Sequence, residues 1–192
     1  MCYVLSHLKQ YGIKDVVIAV GFQKEKIYEY FNDNYLEFNV TVVDSGDVDI
    51  IERIKSCSEY VNDDFLLLYG DTIANINLEH LQEFHFSHES KATITLLPFK
   101  SQFGLFELDK GKDAISYREK PTLSHLINIG FFYYEKEVLS WTKDFSNYAK
   151  FLEFMVNERK IKGFVHHGNH LTVNTLRELE EAEKSVKKLD KS

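Results

Sequence analysis

Phe65-Leu66-Leu67-Leu68-Tyr69-Gly70-Asp71-Thr72 carries an unbroken apolar and aromatic run straight into a glycine and an acid. Such a run, without alternation, reads as a strand buried on both faces, the kind found inside open α/β sheets. Those sheets place their chemistry at the carboxyl ends of their strands. A glycine at that point lets a ligand approach the backbone, and a lone carboxylate at a strand tip suits a divalent cation that holds phosphates. Gly-Asp is also ordinary turn chemistry, so Asp71 could equally cap the next element.

Upstream, Val16-Val17-Ile18-Ala19-Val20 is a second apolar run, and Lys14 to Val20 is expected to be a strand. Before it, Val4, Leu5, Leu8 and Tyr11 recur at helical spacing and Gly12 follows as a stop signal, so Met1 to Tyr11 reads as a helix. Lys24 to Tyr35, Asp49 to Tyr60 and Leu78 to His88 read as helices, and Phe38 to Val43 as a strand. This alternation predicts a mostly parallel, doubly wound α/β sheet. After Lys91 the texture becomes strand-rich, with Ala92 to Phe99, Gly104 to Leu108, Ala114 to Tyr117 and Ile127 to Tyr134 extended, a stretch that extends or caps the first sheet. Glu135 to Trp141 and Phe151 to Arg159 look helical, and Lys162 to His166 looks like a strand. Thr175 to Leu189 is a charged helix begun by Asn174 or Thr175 as its cap. No internal repeat, low-complexity tract or linker interrupts the chain, so one domain over residues 1–192 is expected.

A length of 192 residues with 44% hydrophobic and 14% aromatic residues is that of a globular chain with a sizeable core. With 30 acids against 23 Lys and Arg, the net charge of -7 lacks the basic stripe that a nucleic-acid partner requires. No run approaches a membrane span and the N-terminus lacks the succession of a signal peptide, so a cytoplasmic protein without a membrane partner is expected. Cys2 and Cys57 stand far apart without metal-ligand spacing, which disfavours a disulfide framework or a zinc site. His80, His85 and His88 fall on an expected surface helix at spacings that share one face poorly, and His166 and His167, adjacent on a strand, would point to opposite faces. Neither a Gly-x-Ser-x-Gly elbow nor a Cys with a plausible base supports covalent hydrolysis.

Two further stretches could carry chemistry. In Ser116-Tyr117-Arg118-Glu119-Lys120-Pro121, the proline biases Lys120 toward an extended backbone, which would turn Glu119 and Lys120 to opposite sides. One could then accept bonds from hydroxyls while the other meets a phosphate; the plain alternative is a charged loop between strands. In Ile127-Asn128-Ile129-Gly130-Phe131-Phe132, a polar residue and a glycine interrupt an apolar strand, which marks either close approach of a ligand or a bulge. Phe103-Gly104 has the same ambiguity.

In order along the chain, Tyr11-Gly12-Ile13-Lys14-Asp15, Val20-Gly21-Phe22, Tyr69-Gly70-Asp71, Phe103-Gly104, Glu119-Lys120-Pro121, Asn128-Ile129-Gly130-Phe131-Phe132 and Asn174-Thr175-Leu176-Arg177 resemble the sugar-1-phosphate nucleotidyltransferases, and most of all the glucose-1-phosphate cytidylyltransferase branch. The resemblance implies a Rossmann-like fold with an incomplete nucleotide-binding half over residues 1–90 and a sugar-binding half with the C-terminal helix over 91–192. It implies attack of a sugar 1-phosphate oxygen on the α-phosphorus of a nucleoside triphosphate, with magnesium neutralising charge and pyrophosphate leaving. By the same likeness Asp71 corresponds to the metal-binding aspartate, Glu119 to the sugar-hydroxyl acceptor and Lys120 to the sugar-phosphate lysine. Asn128 and Gly130 correspond to the strand lining the sugar pocket, Gly104 to a glycine whose backbone faces the sugar, and Gly70 to the substrate side of the Asp71 turn. These roles are coherent with phosphoryl transfer, which asks a protein chiefly for positioning and electrostatic stabilisation.

The chain also departs from the family's pattern. It starts after the family's first strand and its Gly-x-Gly-Thr-Arg loop, and no other Gly-rich phosphate cradle occurs in it. Asp49-Ile50-Ile51-Glu52-Arg53 stands where small glycines would admit the base, and Asn174 stands where the family has a second metal-binding aspartate, which would weaken the metal. The expected result is an N-terminally truncated relative with little or no turnover. The alternative is a non-catalytic sugar-phosphate or sugar-nucleotide binder, or a partner subunit of an active paralogue. A family-type first strand would lie between the strands at 15–20 and 65–69, so these are expected to present unpaired inner edges or to close on each other, and an open edge favours homo-oligomeric or edge-to-edge association.

Overall fold

The computed structural model describes residues 2–33 and 38–189. Its elements are α1 (Cys2–Gln10), β1 (Asp15–Val20), α2 (Lys24–Asp33), β2 (Asn39–Asp44), α3 (Ile50–Cys57), a 3-10 turn (Ser58–Tyr60), β3 (Phe65–Leu68), β4 (Thr72–Ala74), α4 (Leu78–Phe86), β5 (Ala92–Lys100), β6 (Leu105–Leu108), β7 (Ala114–Arg118), β8 (Thr122–Tyr134), α5 (Val138–Thr142), α6 (Tyr148–Asn157), β9 (Ile161–Val165), β10 (His170–Thr172) and α7 (Leu176–Leu189). The expected last residues of α2, Asn34 and Tyr35, lie outside the described residues.

The stop at Gly12 works as its sequence implies. Gly12 takes φ +70°, Ile13 N–H donates to Leu8 O at 3.2 Å and Gly12 N–H donates to Lys9 O at 3.0 Å, the paired bonds of a Schellman cap. The α7 terminus is equally legible. Thr175 Oγ1 accepts from Glu178 N–H at 3.2 Å while Glu178 Oε2 accepts from Thr175 N–H at 2.9 Å, so Thr175 is the cap of a reciprocal capping box whose carboxylate also accepts from Asn174 N–H at 2.8 Å. Asp49 caps α3 by accepting from Ile51 N–H at 2.9 Å, and the same oxygen accepts from Tyr148 N–H at 2.9 Å, which fastens the start of α6 beside α3. α6 starts at Tyr148, earlier than the apolar spacing suggested, because Asn147 supplies its cap through Lys150 N–H.

β1 and β2 pair in parallel from Asp15 opposite Asn39 to Val20 opposite Asp44. A four-stranded sheet runs β3-β8-β5-β9, and two short ribbons pair β6 with β7 and β4 with β10. The mostly parallel sheet expected from the sequence is a mixed one here. β8 is antiparallel to both β3 and β5, because the chain reaches it from β5 through the β6–β7 hairpin without a helical crossover. β5 and β9, separated by helices, are parallel. The architecture remains α/β with helices on both faces. On one face Phe132 and Tyr134 of β8 pack against Ile51, Ile54, Val138, Phe151 and Met155; on the other, Ile129 and Phe131 pack against Leu8, Leu78 and Leu81. Among the described residues β1 pairs only with β2 on the ladder, and β3 only with β8. Their inner edges are unpaired and have not closed on each other.

Of the three histidines expected on a surface helix, His80 is exposed on α4, whereas His85 is buried and His88, just beyond the helix, is half-buried. His85 is buried at 2% exposure, and its Nδ1 lies 2.9 Å from Thr93 Oγ1, while His88 Nε2 lies 3.0 Å from the same hydroxyl. The cause is β5, which runs beneath α4 and offers the Thr93 hydroxyl to both rings. His166 is also buried, and it follows β9 rather than lying within it.

Burial lowers the pKa of His7, His85, His88, His166 and His170, with the His85–His88 proximity adding to the effect at His85. A base whose folded pKa is depressed stabilises the fold above its unfolded value of about 6.5 and loses that contribution as pH falls through the folded value. The thermal midpoint should therefore drop on acidification from pH 7 toward pH 5. His85→Asn, which keeps a polar atom near the Nδ1 position, should give a shallower slope in the same thermal melts.

Candidate active site

The turn after β3 builds the first part of the site. Gly70 and Asp71 are exposed, and a side-chain carbon placed on Gly70 would meet nothing within 4 Å, so open space faces this backbone. Asp71 leads into β4, and β4 pairs with β10 from Thr72 opposite Thr172 to Ala74 opposite His170. Val173 N–H then donates to Asp71 O at 2.8 Å, which sets Asn174 immediately beyond the residue bonded to Asp71. Asn75 Oδ1 secures the arrangement by accepting from Asn169 N–H at 2.7 Å at the far end of the ribbon. Residues 103 positions apart in sequence, Asp71 and Asn174, are thus brought to one end of a two-stranded ribbon.

Tyr69 links this end to the strand expected to line the sugar pocket. Its N–H donates to Gly130 O at 2.9 Å, and its hydroxyl accepts from Asn128 Nδ2 at 3.4 Å. Gly130 sits at φ +75°, and a Cβ there would lie 2.5 Å from the Tyr69 ring, so both backbone angle and space require glycine. Between Ile94 opposite Phe132 and Leu96 opposite Asn128 the β5–β8 register shifts, which is the bulge that the sequence left as one alternative. Asn128 Oδ1 accepts from Gly130 N–H at 2.8 Å across this bulge. The bulge re-aims Asn128, which is exposed, while Gly130 is buried. Burial pushes the Tyr69 phenol up in pKa, and the Asn128 amide partly offsets it.

Gly104 and Glu119 form a second group with Tyr117. The Tyr117 hydroxyl donates to Glu119 Oε2, a bond that holds the phenol's pKa up, and a Cβ on Gly104 would lie 2.6 Å from the Tyr117 hydroxyl and 2.9 Å from Glu119 Oε2. Lys120 is a correction to the sequence reading. Its φ is +41°, a left-handed backbone rather than an extended one, and Glu119–Lys120 form a bend. The returning arm of the ribbon bends there as it passes from β7 into β8, and Ser101 N–H holds the bend by donating to Pro121 O at 2.9 Å. Among the described residues, no hydrogen bond or ion pair joins this group to Asp71, Asn128 and Gly130. The second register shift, between Pro98 and Lys100, bends the ribbon that connects the two groups.

Asp49 to Arg53, which stand where small glycines would admit a base, cap and open α3 as expected: Ile51 is wholly buried, Glu52 pairs with Lys55 at 2.8 Å, and Arg53 Nε donates to Val48 O at 3.2 Å. The sequence gives no role to Tyr69, Tyr117 or His170, the last of which has its pKa lowered by burial and by His166, opposed by nearby Asp71. Tyr117 was findable, since it precedes Glu119 by the two-residue period that puts strand side chains on one face. Asp71 and Asn174 offer one carboxylate and one amide oxygen; among the described residues no group of three or more His, Cys, Asp or Glu could hold a metal.

Residues 1–174 match the family model described as nucleotidyl transferase. The chain belongs to the nucleotidyl transferase family. It is 29% identical over 204 residues to the glucose-1-phosphate cytidylyltransferase of Salmonella typhi, with 92% of this chain and 79% of that protein covered. It is 29% identical over 167 residues to the D-glycero-alpha-D-manno-heptose 1-phosphate guanylyltransferase of Campylobacter jejuni, with 83% and 72% covered. HddC from Yersinia pseudotuberculosis has the same fold, at a TM-score of 0.70 and 18% identity over 96% of this chain and 84% of that one. The family-level function of this nucleotidyl transferase is therefore sugar-nucleotide synthesis, on a Rossmann-like fold. No helix among the described residues is long and apolar enough to cross a membrane.

Two substitutions test the backbone of the site by urea denaturation. Gly130→Ala should cost about 3 kcal/mol, combining roughly 1–2 for a non-glycine residue at positive φ with roughly 1–3 for overlap with Tyr69. Lys120→Gly should move the other way, stabilising by about 1 kcal/mol by relieving the left-handed strain.

Proposed function

We propose that this chain binds glucose 1-phosphate and CTP with magnesium, and that its site is built to join them into a nucleoside diphosphate sugar. The observation that carries the reading is the ribbon bond between Val173 N–H and Asp71 O, which sets Asn174 beside Asp71 at the strand end where Tyr69 reaches Asn128 and Gly130. In the reaction, a phosphate oxygen of the sugar 1-phosphate forms a bond to the α-phosphorus while the bond to pyrophosphate breaks. The donor set of one carboxylate and one amide oxygen fits Mg²⁺ held largely by phosphates and water, the usual way this ion sits in phosphoryl-transfer sites. Bound there, the ion would neutralise phosphate charge. Glu119, beside Gly104, is suited to accept sugar hydroxyls, and Lys120, exposed on a bend, to meet the sugar's phosphate; its strained backbone supports a positioned functional side chain. The reading includes residues 1–192 as one domain and a cytoplasmic setting.

Isothermal titration checks this reading. Glucose 1-phosphate should bind the native chain, and Lys120→Ala should weaken it by tenfold or more, on the order of one charge-assisted bond. CTP should bind only with Mg²⁺, and Asn174→Asp should tighten that binding by about tenfold through the added ligand charge. Indifference of both ligands to both substitutions would overturn it. The neutral Asn174 favours a second reading, a sugar-phosphate binder with little or no turnover. Glucose 1-phosphate binding without pyrophosphate release, unimproved by Asn174→Asp, would select that reading.

A further inference from the structure

β6 and β7 set Phe106 directly opposite Tyr117. The period of two along each strand then brings Gly104, two residues before Phe106, and Glu119, two residues after Tyr117, to the same face of the ribbon. On that face the Tyr117 ring leans on Phe106, with ring centroids 4.7 Å apart, and its hydroxyl donates to Glu119 Oε2. A Cβ on Gly104 would lie 2.6 Å from both Cε2 and the hydroxyl oxygen of Tyr117, and 2.9 Å from Glu119 Oε2. The phenol therefore fills the space between the Gly104 backbone and the carboxylate oxygen nearest to it.

Among the described residues, no other group is hydrogen-bonded to the Glu119 side chain. Its neighbour Arg118 is turned to the opposite face of the ribbon, where Nη2 donates to Glu107 Oε1 at 3.0 Å. The phenol is thus the one group that a ligand must remove to reach this carboxylate, and the exchange is favourable on donor count. A phenol gives one donor to one of the two carboxylate oxygens, whereas a sugar ring carries adjacent hydroxyls that can donate to both. Removal is also sterically free. Phe106 is 64% and Tyr117 55% exposed, so the ring can rotate off Glu119 without opening the core, and exposed side chains change rotamer within nanoseconds.

We infer that Tyr117 is a built-in stand-in for the ligand: its hydroxyl holds the place on Glu119 that a sugar hydroxyl takes, and a sugar 1-phosphate binds by displacing it. The inference rests on the reading of Glu119 as the acceptor of sugar hydroxyls. It gives Tyr117 the opposite of a supporting role, since the phenol competes for Glu119 instead of orienting it toward the sugar. The two roles differ in sign: a competing hydroxyl weakens sugar binding, and an orienting one strengthens it. Between ligands, the phenol keeps Glu119 from pairing with stray single donors such as water, so the carboxylate is released only to a ligand that also fills the space over Gly104.

The test titrates glucose 1-phosphate into the full chain, native and Tyr117→Phe, by isothermal calorimetry. The substitution keeps the ring against Phe106 and removes only the hydroxyl, so it should tighten binding by about two- to tenfold, the scale of one hydrogen bond lost from the unliganded state. A second readout follows the phenol itself, by nuclear magnetic resonance of protein carrying carbon-13 at the tyrosine Cζ, with Tyr117 assigned as the resonance missing from Tyr117→Phe. The bond to Glu119 holds the phenol's pKa up, so saturating glucose 1-phosphate, or Glu119→Gln without ligand, should let it fall toward the ordinary value of about 10. Equal or weaker binding by Tyr117→Phe, or a Tyr117 titration that the bound sugar phosphate leaves unmoved, overturns the inference and leaves the substrate reading standing. Absence of binding to both proteins removes the substrate reading, and the inference with it.

Discussion

The contact between Tyr69 and Gly130 holds the rest of the site in register. One backbone bond of 2.9 Å and one ring seated where a side chain would otherwise be lock the end of β3 to the bulge of β8. On one side of this contact the chain continues into Gly70 and Asp71; on the other, Asn128 turns back to cap Gly130 and to reach the Tyr69 hydroxyl. The turn at Gly70–Asp71 and the strand at Asn128–Gly130 are therefore one rigid piece rather than two loops. The left-handed backbone of Gly130 is the condition for it, since an L side chain would be strained there and would strike the ring.

What could be read from the sequence followed signal strength. Apolar runs such as Val16 to Val20 and Phe65 to Leu68 gave strands whose ends moved by little, and Gly12 and Thr175 supplied stop and start signals that the backbone bonds reproduce. β4 and β10 escaped notice because three residues are too few for a period of two to register, and their stability comes from pairing across nearly a hundred residues. The same limit hid the fact that Asn174 lies next to Asp71. Lys120 defeated the local rule for residues before proline because a tertiary requirement, the bend from β7 into β8 held by Ser101, overrode it. His85 failed for a similar reason: a helix pattern does not reveal which strand passes beneath it.

The candidate site residues were legible as types and in order but not as a constellation. Gly104 and Glu119 are brought together by Tyr117, and Asp71, Asn174, Asn128 and Gly130 by Tyr69 and the β4–β10 ribbon. In both groups a tyrosine, apolar in its body and polar at its tip, supplies the contact that spacing alone could not announce.

The arrangement of β3 has a bearing on how the chain acquires its structure. β1 and β2 pair over 24 residues, a local closure that can occur as soon as that segment exists. β3 instead finds its ladder partner in β8, more than 60 residues later, so it must wait until more than two-thirds of the chain exists with an apolar edge exposed. During synthesis this keeps an uncharged apolar strand unpaired until β8 emerges, and makes prompt collapse of α3 onto it the step that keeps the nascent chain on course.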